Sequence, residues 1–275
     1  MSTAPAGRQK RVTTRDLLEM KARGEKIVVL TAYDYLFARL VDRAGVDVVL
    51  VGDSLGNVVL GYDSTIPVTM EDMIHHGRAV RRGVEHALLV VDMPFLTFQI
   101  APRETVRNAG RILKETGAEA VKLEGGDQET ARHVRALVRA GIPVMGHIGL
   151  TPQSVHALGG HRVQGRDDGA AERLAAEAVR LQDAGCFSIV LELLPARLGG
   201  TIARAVRIPT IGIGAGAEVD GQVLVLPDML GLNEDFRPKF LRRFAELGAS
   251  VRSAVGDYAG AVRRGEYPAP EHCFE

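Results

Sequence analysis

Residues 46–57 read VDVVLVGDSLGN. Val46, Val48, Val49, Leu50 and Val51 make a nearly unbroken apolar run. That is the pattern of a strand buried on both faces in a parallel sheet, where polar and apolar residues do not alternate. Gly52 ends the run and delivers Asp53 and Ser54 at its carboxyl end. In α/β barrels and open α/β sheets, ligands bind at that end of the strands.

The same plan recurs outward from this stretch. Upstream, Thr13 or Thr14 caps a short helix that Gly24 ends, IVVLTA (27–32) is a strand, and a helix over 34–44 stops at Gly45. Downstream, residues 56–67 show no helical period, and Thr69 caps a helix running to Arg82. Further strands are expected over 87–91, 118–123, 142–145, 187–191, 210–213 and 222–226, separated by helices over 102–116, 127–140, 170–183 and 196–205. Pro102 fits the first turn of its helix. Residues 151–166 read as a long polar loop, which in a compact domain is usually functional, and 237–264 as helical. Strand–helix alternation implies a parallel sheet, and eight such units in about 250 residues is the size of a single (β/α)8 barrel. No composition shift marks a linker. The expected layout is a flexible tail over 1–12, the barrel with C-terminal helices over 13–265, and a tail over 266–275.

Composition narrows the function. Of 275 residues, 46% are hydrophobic and 25% charged, and 34 basic residues balance 34 acidic ones. Nothing calls for nucleic acid or an anionic membrane. No run approaches the roughly 20 apolar residues of a membrane span, and MSTAPAGRQKR lacks the apolar core of a secretory signal. Cys186 and Cys273 do not make a disulfide framework. These features fit a reducing, cytoplasmic location.

The strand ends carry the chemistry: Asp53 and Ser54, Asp92, Lys122 and Glu124, His147, Glu192, Asp228. Singly, an Asp after a strand is more often a helix cap, and a lone His more often structural. Together, carboxylates on consecutive strands two, three and four repel one another without a partner, and a divalent cation is the economical one. Oxygen ligands without thiolates favour Mg²⁺ over Zn²⁺. Lys122 lies two residues before Glu124, so both side chains point into the barrel, either balancing charge or gripping a substrate anion. Glu192, among Leu191, Leu193 and Leu194, is set to gain proton affinity and act as a general base, or is another capping carboxylate.

Two motifs lose weight in context. GDSLG (52–56) fits the nucleophile elbow, and Ser54, Asp92 and His147 could be written as a triad. The elbow needs a helix directly after the serine, however, and NVVLGY is a poor helix start. GIGAGA (212–217) fits a dinucleotide fingerprint, but Asp220-Gly221 leaves no helix to carry a pyrophosphate.

LTAYD (30–34), VGDSLGN (51–57), DSTIPVT (63–69), DMPF (92–95), VKLEGG (121–126), GHIGLTPQ (146–153) and GIGAG (212–216) run in order along the chain. In these motifs it resembles the ketopantoate hydroxymethyltransferase (3-methyl-2-oxobutanoate hydroxymethyltransferase) family of pantothenate synthesis, over about residues 12–265. The resemblance implies a barrel of the phosphoenolpyruvate/pyruvate-binding type, Mg²⁺, 5,10-methylenetetrahydrofolate as co-substrate, and a homo-oligomer, a decamer. By position it assigns Asp53, Asp92 and Glu124 to the metal, Asp53, Ser54, Asp92 and Lys122 to the oxo acid, and Glu192 to proton acceptance through a Mg-stabilised enolate. His147 is placed at the rim of the site. Two other readings stand beside this one: a lyase or mutase that forms a metal enolate without folate, and a catalytically silent barrel that only binds a metabolite.

Overall fold

The computed structural model describes residues 11–274. Eight parallel strands close into a barrel: β1 Ile27–Thr31, β2 Val48–Val51, β3 Leu88–Asp92, β4 Ala120–Glu124, β5 Val144–Gly149, β6 Ser188–Glu192, β7 Thr210–Ile213 and β8 Gly221–Leu224, with β8 pairing back to β1. The helices are α1 Thr14–Arg23, α2 Tyr35–Arg43, α3 Leu55–Val58, α4 Met70–Arg81, α5 Pro102–Thr116, α6 Gln128–Arg139, α7 Val155–Leu158, α8 Asp168–Ala184, α9 Ala196–Ala205, α10 Leu226–Met229 and α11 Leu247–Arg263. The chain divides into two compact units, one up to Val225 that holds the barrel and one from Leu226 that holds α10 and α11. No helix among the described residues is long and apolar enough to cross a membrane.

Local chemistry sets the helix starts. Thr13 and Asp16 form a reciprocal capping box on α1, and Thr69 and Asp72 do so on α4, each satisfying backbone N–H groups the helix leaves open. Asp34 and Asp127 cap α2 and α6. Those two aspartates play the ordinary structural part, and Asp53 and Asp92 do not.

The barrel interior is graded along the strands. Val48 pairs with Leu88, Leu50 with Val90, and Val90 with Ala120, so these inward side chains stack with Val29, Met145, Val190, Ile211 and Val223 into the apolar core. Two to four residues further along the same inward faces, Asp92 pairs with Lys122 and Glu124 with His147. The period-two alternation of a strand thus carries the chain from apolar filling to a charged mouth at the carboxyl ends. At the opposite end, Leu17 of α1 is fully buried in the core, with Val12 and Met20 packed against it. There Lys21 Nζ donates to Ala203 O, Ile208 O and Asp220 Oδ2, each at 2.9 Å.

Four local expectations change. β5 runs over Val144–Gly149 rather than 142–145, so His147 lies within the strand. β8 ends at Leu224, and Asp228 ends no strand: it sits on α10 and accepts from Asn233 Nδ2 at 3.1 Å. A helical turn, α3, follows Ser54 directly, anchored by fully buried Leu55. Four residues are one turn, too few to display a period. The loop after β5 contains a 3₁₀ turn over Pro152–Ser154 and then α7, whereas helix in 237–264 begins only at Leu247.

Candidate active site

β2, β3, β4, β5 and β6 bring Asp53, Asp92, Lys122, Glu124, His147 and Glu192 into one connected network at the barrel mouth. The strand ends at Gly52, where a Cβ would lie 2.7 Å from Ser54 Oγ and 3.5 Å from Asp92 Oδ2, so a side chain there would displace the Ser54 hydroxyl. The Asp53 N–H donates to Asp92 Oδ2 at 3.1 Å. Lys122 Nζ lies 3.0 Å from Asp92 Oδ1 and 3.3 Å from His147 Nδ1. His147 stands between two acids, with Nδ1 3.5 Å from Glu124 Oε1 and Nε2 3.2 Å from Glu192 Oε2. The lysine and its neighbours Asp92, Glu124 and His147 are all nearly inaccessible to solvent, and the Glu192 side chain is the most open of the set, at 17%.

Burial and mutual repulsion govern the charges. Loss of solvent, reinforced by Glu124 and Asp92, pushes Asp53 up to about 8, against Lys122 and Gln153. Burial likewise raises Asp92, although Lys122 and the Asp53 N–H pull the other way. Burial opposes the charge on Lys122, but Asp92, Glu124 and Asp53 together outweigh it and its pKa rises. For Glu124, burial is overcome by His147, Lys122 and the Gln153 N–H, and its pKa falls. Burial and Lys122 disfavour the imidazolium of His147, yet its contacts with the Glu124 and Glu192 carboxylates prevail and lift it to about 9.

The residues fit a magnesium ion bound with help from substrate and water. Asp92 Oδ1 and Glu124 Oε1 are buried without a hydrogen bond, left with charge contacts alone. Burial, Glu124 and Asp92 hold the Asp53 carboxyl protonated, and a cation seated beside these acids would let it ionise. Among the described residues, no three His, Cys, Asp or Glu side chains stand together in an arrangement that could hold a metal ion by themselves. Carboxylates without a thiolate are oxygen ligands of the kind Mg²⁺ takes, with waters and substrate oxygens completing its shell.

Three sequence readings are corrected here. His147 is not at the rim: it is 3% exposed and central to the network. The helix required by the nucleophile elbow is present, yet the triad is not formed. Ser54 Oγ pairs with Tyr33 Oη at 2.8 Å, while both His147 ring nitrogens face Lys122 or the two glutamates. Glu192 also lies against an imidazole rather than in a purely apolar setting.

The sequence reading gave no role to Tyr33 or Gln153, which the structure places in the site. Tyr33 follows β1, and its carbonyl is 2.7 Å from His76 Nδ1, which ties the Ser54 partner to α4. Gln153 follows β5 and contacts two of the acids. The only signal for either was membership of the motifs at 30–34 and 146–153.

Comparison with known proteins agrees with this geometry. The family model described as ketopantoate hydroxymethyltransferase matches residues 11–270. A curated relative named 3-methyl-2-oxobutanoate hydroxymethyltransferase, from Syntrophotalea carbinolica, is 56% identical over 266 residues, covering 97% of this chain and 99% of its own. Among solved structures, phosphonopyruvate hydrolase superposes with a TM-score of 0.62 at 12% identity, covering 96% of this chain and 92% of its own. The 2,3-dimethylmalate lyase of the PEP mutase/isocitrate lyase superfamily gives 0.57 at 17% identity, covering 94% and 92%. At such identities these two structures speak for the fold alone: a closed eight-stranded (β/α)8 barrel.

Proposed function

The chain belongs to the ketopantoate hydroxymethyltransferase family, and on that premise we propose that it transfers a hydroxymethyl group from 5,10-methylenetetrahydrofolate to 3-methyl-2-oxobutanoate, giving ketopantoate. The observation that supports this most is the continuous charged network from Asp53 and Asp92 through Lys122 and His147 to Glu192. It sets a proton acceptor on one wall and an anion- and cation-binding cluster on the other.

Mg²⁺, held by Asp53, Asp92 and Glu124 together with water and substrate oxygens, would supply Lewis-acid polarisation of the 2-oxo group. Lys122 and Ser54 bind the oxo acid, Lys122 as a buried cation already oriented by Asp92. Glu192, one oxygen held by His147, takes the C3 proton with the other. The negative charge that this leaves on the oxo acid develops beside the Lys122 ammonium and the His147 imidazolium, which need no reorganisation to receive it. C3 then bonds to the methylene carbon of the donor as both C–N bonds of that carbon break; water supplies the hydroxyl, and its remaining proton and the one taken from C3 go to the two nitrogens of the departing tetrahydrofolate. A homo-oligomer, decameric by the resemblance, and a cytoplasmic location belong to the same reading.

The test is loss of the C3 proton of 3-methyl-2-oxobutanoate in D₂O, followed by NMR. Exchange is expected with Mg²⁺ and without folate, to stop with EDTA, and to be lost in Glu192→Gln, which still binds the oxo acid. Adding methylenetetrahydrofolate should yield ketopantoate. Exchange at the wild-type rate in Glu192→Gln would remove it as the base, and no exchange by folded, Mg²⁺-loaded protein would remove the substrate.

A further inference from the structure

Gln153 has no part in the mechanism above, yet it is 5% exposed, and its backbone N–H and both polar atoms of its side chain are engaged. Its backbone N–H donates to Glu124 Oε2 at 2.9 Å. Its side-chain Nε2 donates to Asp53 Oδ2 at 2.8 Å and to the Met93 carbonyl at 3.0 Å. Its Oε1 accepts from Gln99 Nε2 at 3.2 Å. The orientation of the amide is fixed by chemistry, because a carbonyl oxygen can only accept, so the atom facing Met93 O is the donor. Gln99 reinforces the same orientation from the loop after β3, its own Oε1 accepting from the Phe98 N–H at 3.4 Å.

We infer that Gln153 is a positioning residue for the cation: its side chain holds Asp53 and its backbone holds Glu124, and it thereby sets the spacing of two acids that come from different strands. The inference rests on the reading that these acids bind Mg²⁺. Each acid gives one oxygen to Gln153. The other oxygen of Glu124, Oε1, is buried and without a hydrogen bond. Two carboxylates brought this close repel, and neither strand corrects the other, since β2 and β4 are separated by β3. A neutral double donor anchored on Met93 at the end of β3 holds them without cancelling the charge the cation needs. Outer hydrogen-bond partners of this kind orient metal-binding carboxylates and are worth about 10–100-fold in metal affinity.

The test uses Mn²⁺ as the probe and the full chain without substrate, with free Mn²⁺ read by electron paramagnetic resonance. Gln153→Met keeps the length and removes the donor. It should bind Mn²⁺ about 10–100-fold more weakly. Gln99→Met should weaken binding several-fold, and the double variant should be no weaker than Gln153→Met alone, because Gln99 acts through Gln153. Gln99 is exposed, so its variant carries the test if Gln153→Met fails to fold. A merely structural role would lower the melting temperature and leave the Mn²⁺ dissociation constant of the folded protein unchanged; that result, or additive losses in the double variant, would overturn the inference. Wild-type protein that takes up no Mn²⁺ would overturn both the inference and the metal reading, whereas wild-type binding with unaltered variants would overturn the inference alone.

Discussion

Replacing Gly149 by alanine separates two ways in which a backbone can hold a catalytic group. Gly149 ends β5 with φ +97°, pairs in register with Glu192, and precedes Leu150, whose N–H donates to Glu192 O at 2.9 Å. A Cβ on Gly149 would lie 2.2 Å from that same carbonyl oxygen and 3.0 Å from Leu194 Cδ2. The Glu192 backbone would have to retreat by about 0.8 Å to reach the closest tolerable contact. Positive φ costs an L residue roughly 1–3 kcal/mol, and the lost Leu150 bond adds about 1 kcal/mol. A total near 3 kcal/mol lowers the melting temperature of a protein of this size by about 6–12 °C. A displacement approaching 1 Å at the proton acceptor is expected to slow C3 exchange by about 10²-fold. Gly141 is the control. It has φ +80° in the turn after α6, and a Cβ there meets nothing within 4 Å. Gly141→Ala should lose stability through backbone strain alone and exchange at the wild-type rate. The assays are differential scanning calorimetry and deuterium exchange. Exchange within twofold of wild type in Gly149→Ala, or equal loss in Gly141→Ala, would refute the claim that Gly149 fixes Glu192.

Two further outcomes concern buried charge. Lys122→Met leaves Asp92 without its cation in a site closed to solvent, and should cost about 3–5 kcal/mol in urea unfolding of metal-free protein and abolish oxo-acid binding; unchanged stability would mean that Asp92 finds another partner. His133, buried between α5 and α6 with Nδ1 2.7 Å from Thr105 Oγ1, has its pKa lowered by burial. The unfolded chain therefore takes up this proton first, so stability is full above about pH 6.5 and falls as pH drops below it. Melting temperature against pH between 7 and 5 should be flatter in His133→Gln than in wild type, and parallel curves would dismiss the assignment.

Much of the barrel was legible because its strands are continuous apolar runs closed by glycine or a charge. The stretch 46–57 states the buried strand, the turn and the first acid in twelve letters, and the two-residue spacing of Lys122 and Glu124 states that they share a face. Legibility failed where the inward positions themselves turn polar. β5 runs on through Gly146, His147 and Gly149, a sequence with no apolar pattern, because its last inward side chains belong to the site rather than to the core. Asp228 shows the reverse error: an acid after an apolar run looked like a strand end but belongs to a short helix. Gln153 was unreadable for a different reason. Its contacts to Asp53 and Glu124 reach across 100 and 29 residues, and nothing in a polar loop marks which of its amides will turn inward.

Helix α1 and the Lys21 hub make the barrel a vessel with one neck. Leu17 stops one end, and Lys21 fastens that stopper to the residues that lead into β7 and β8. Two reactants that share a single neck have to queue. On the function proposed above, the small oxo acid is expected to enter first, because a larger one-carbon donor seated early would cork the passage. Departure is then expected to reverse the order of arrival. Steady-state kinetics that follow such an ordered path would show ketopantoate inhibiting competitively against the oxo acid, with the spent donor leaving before it.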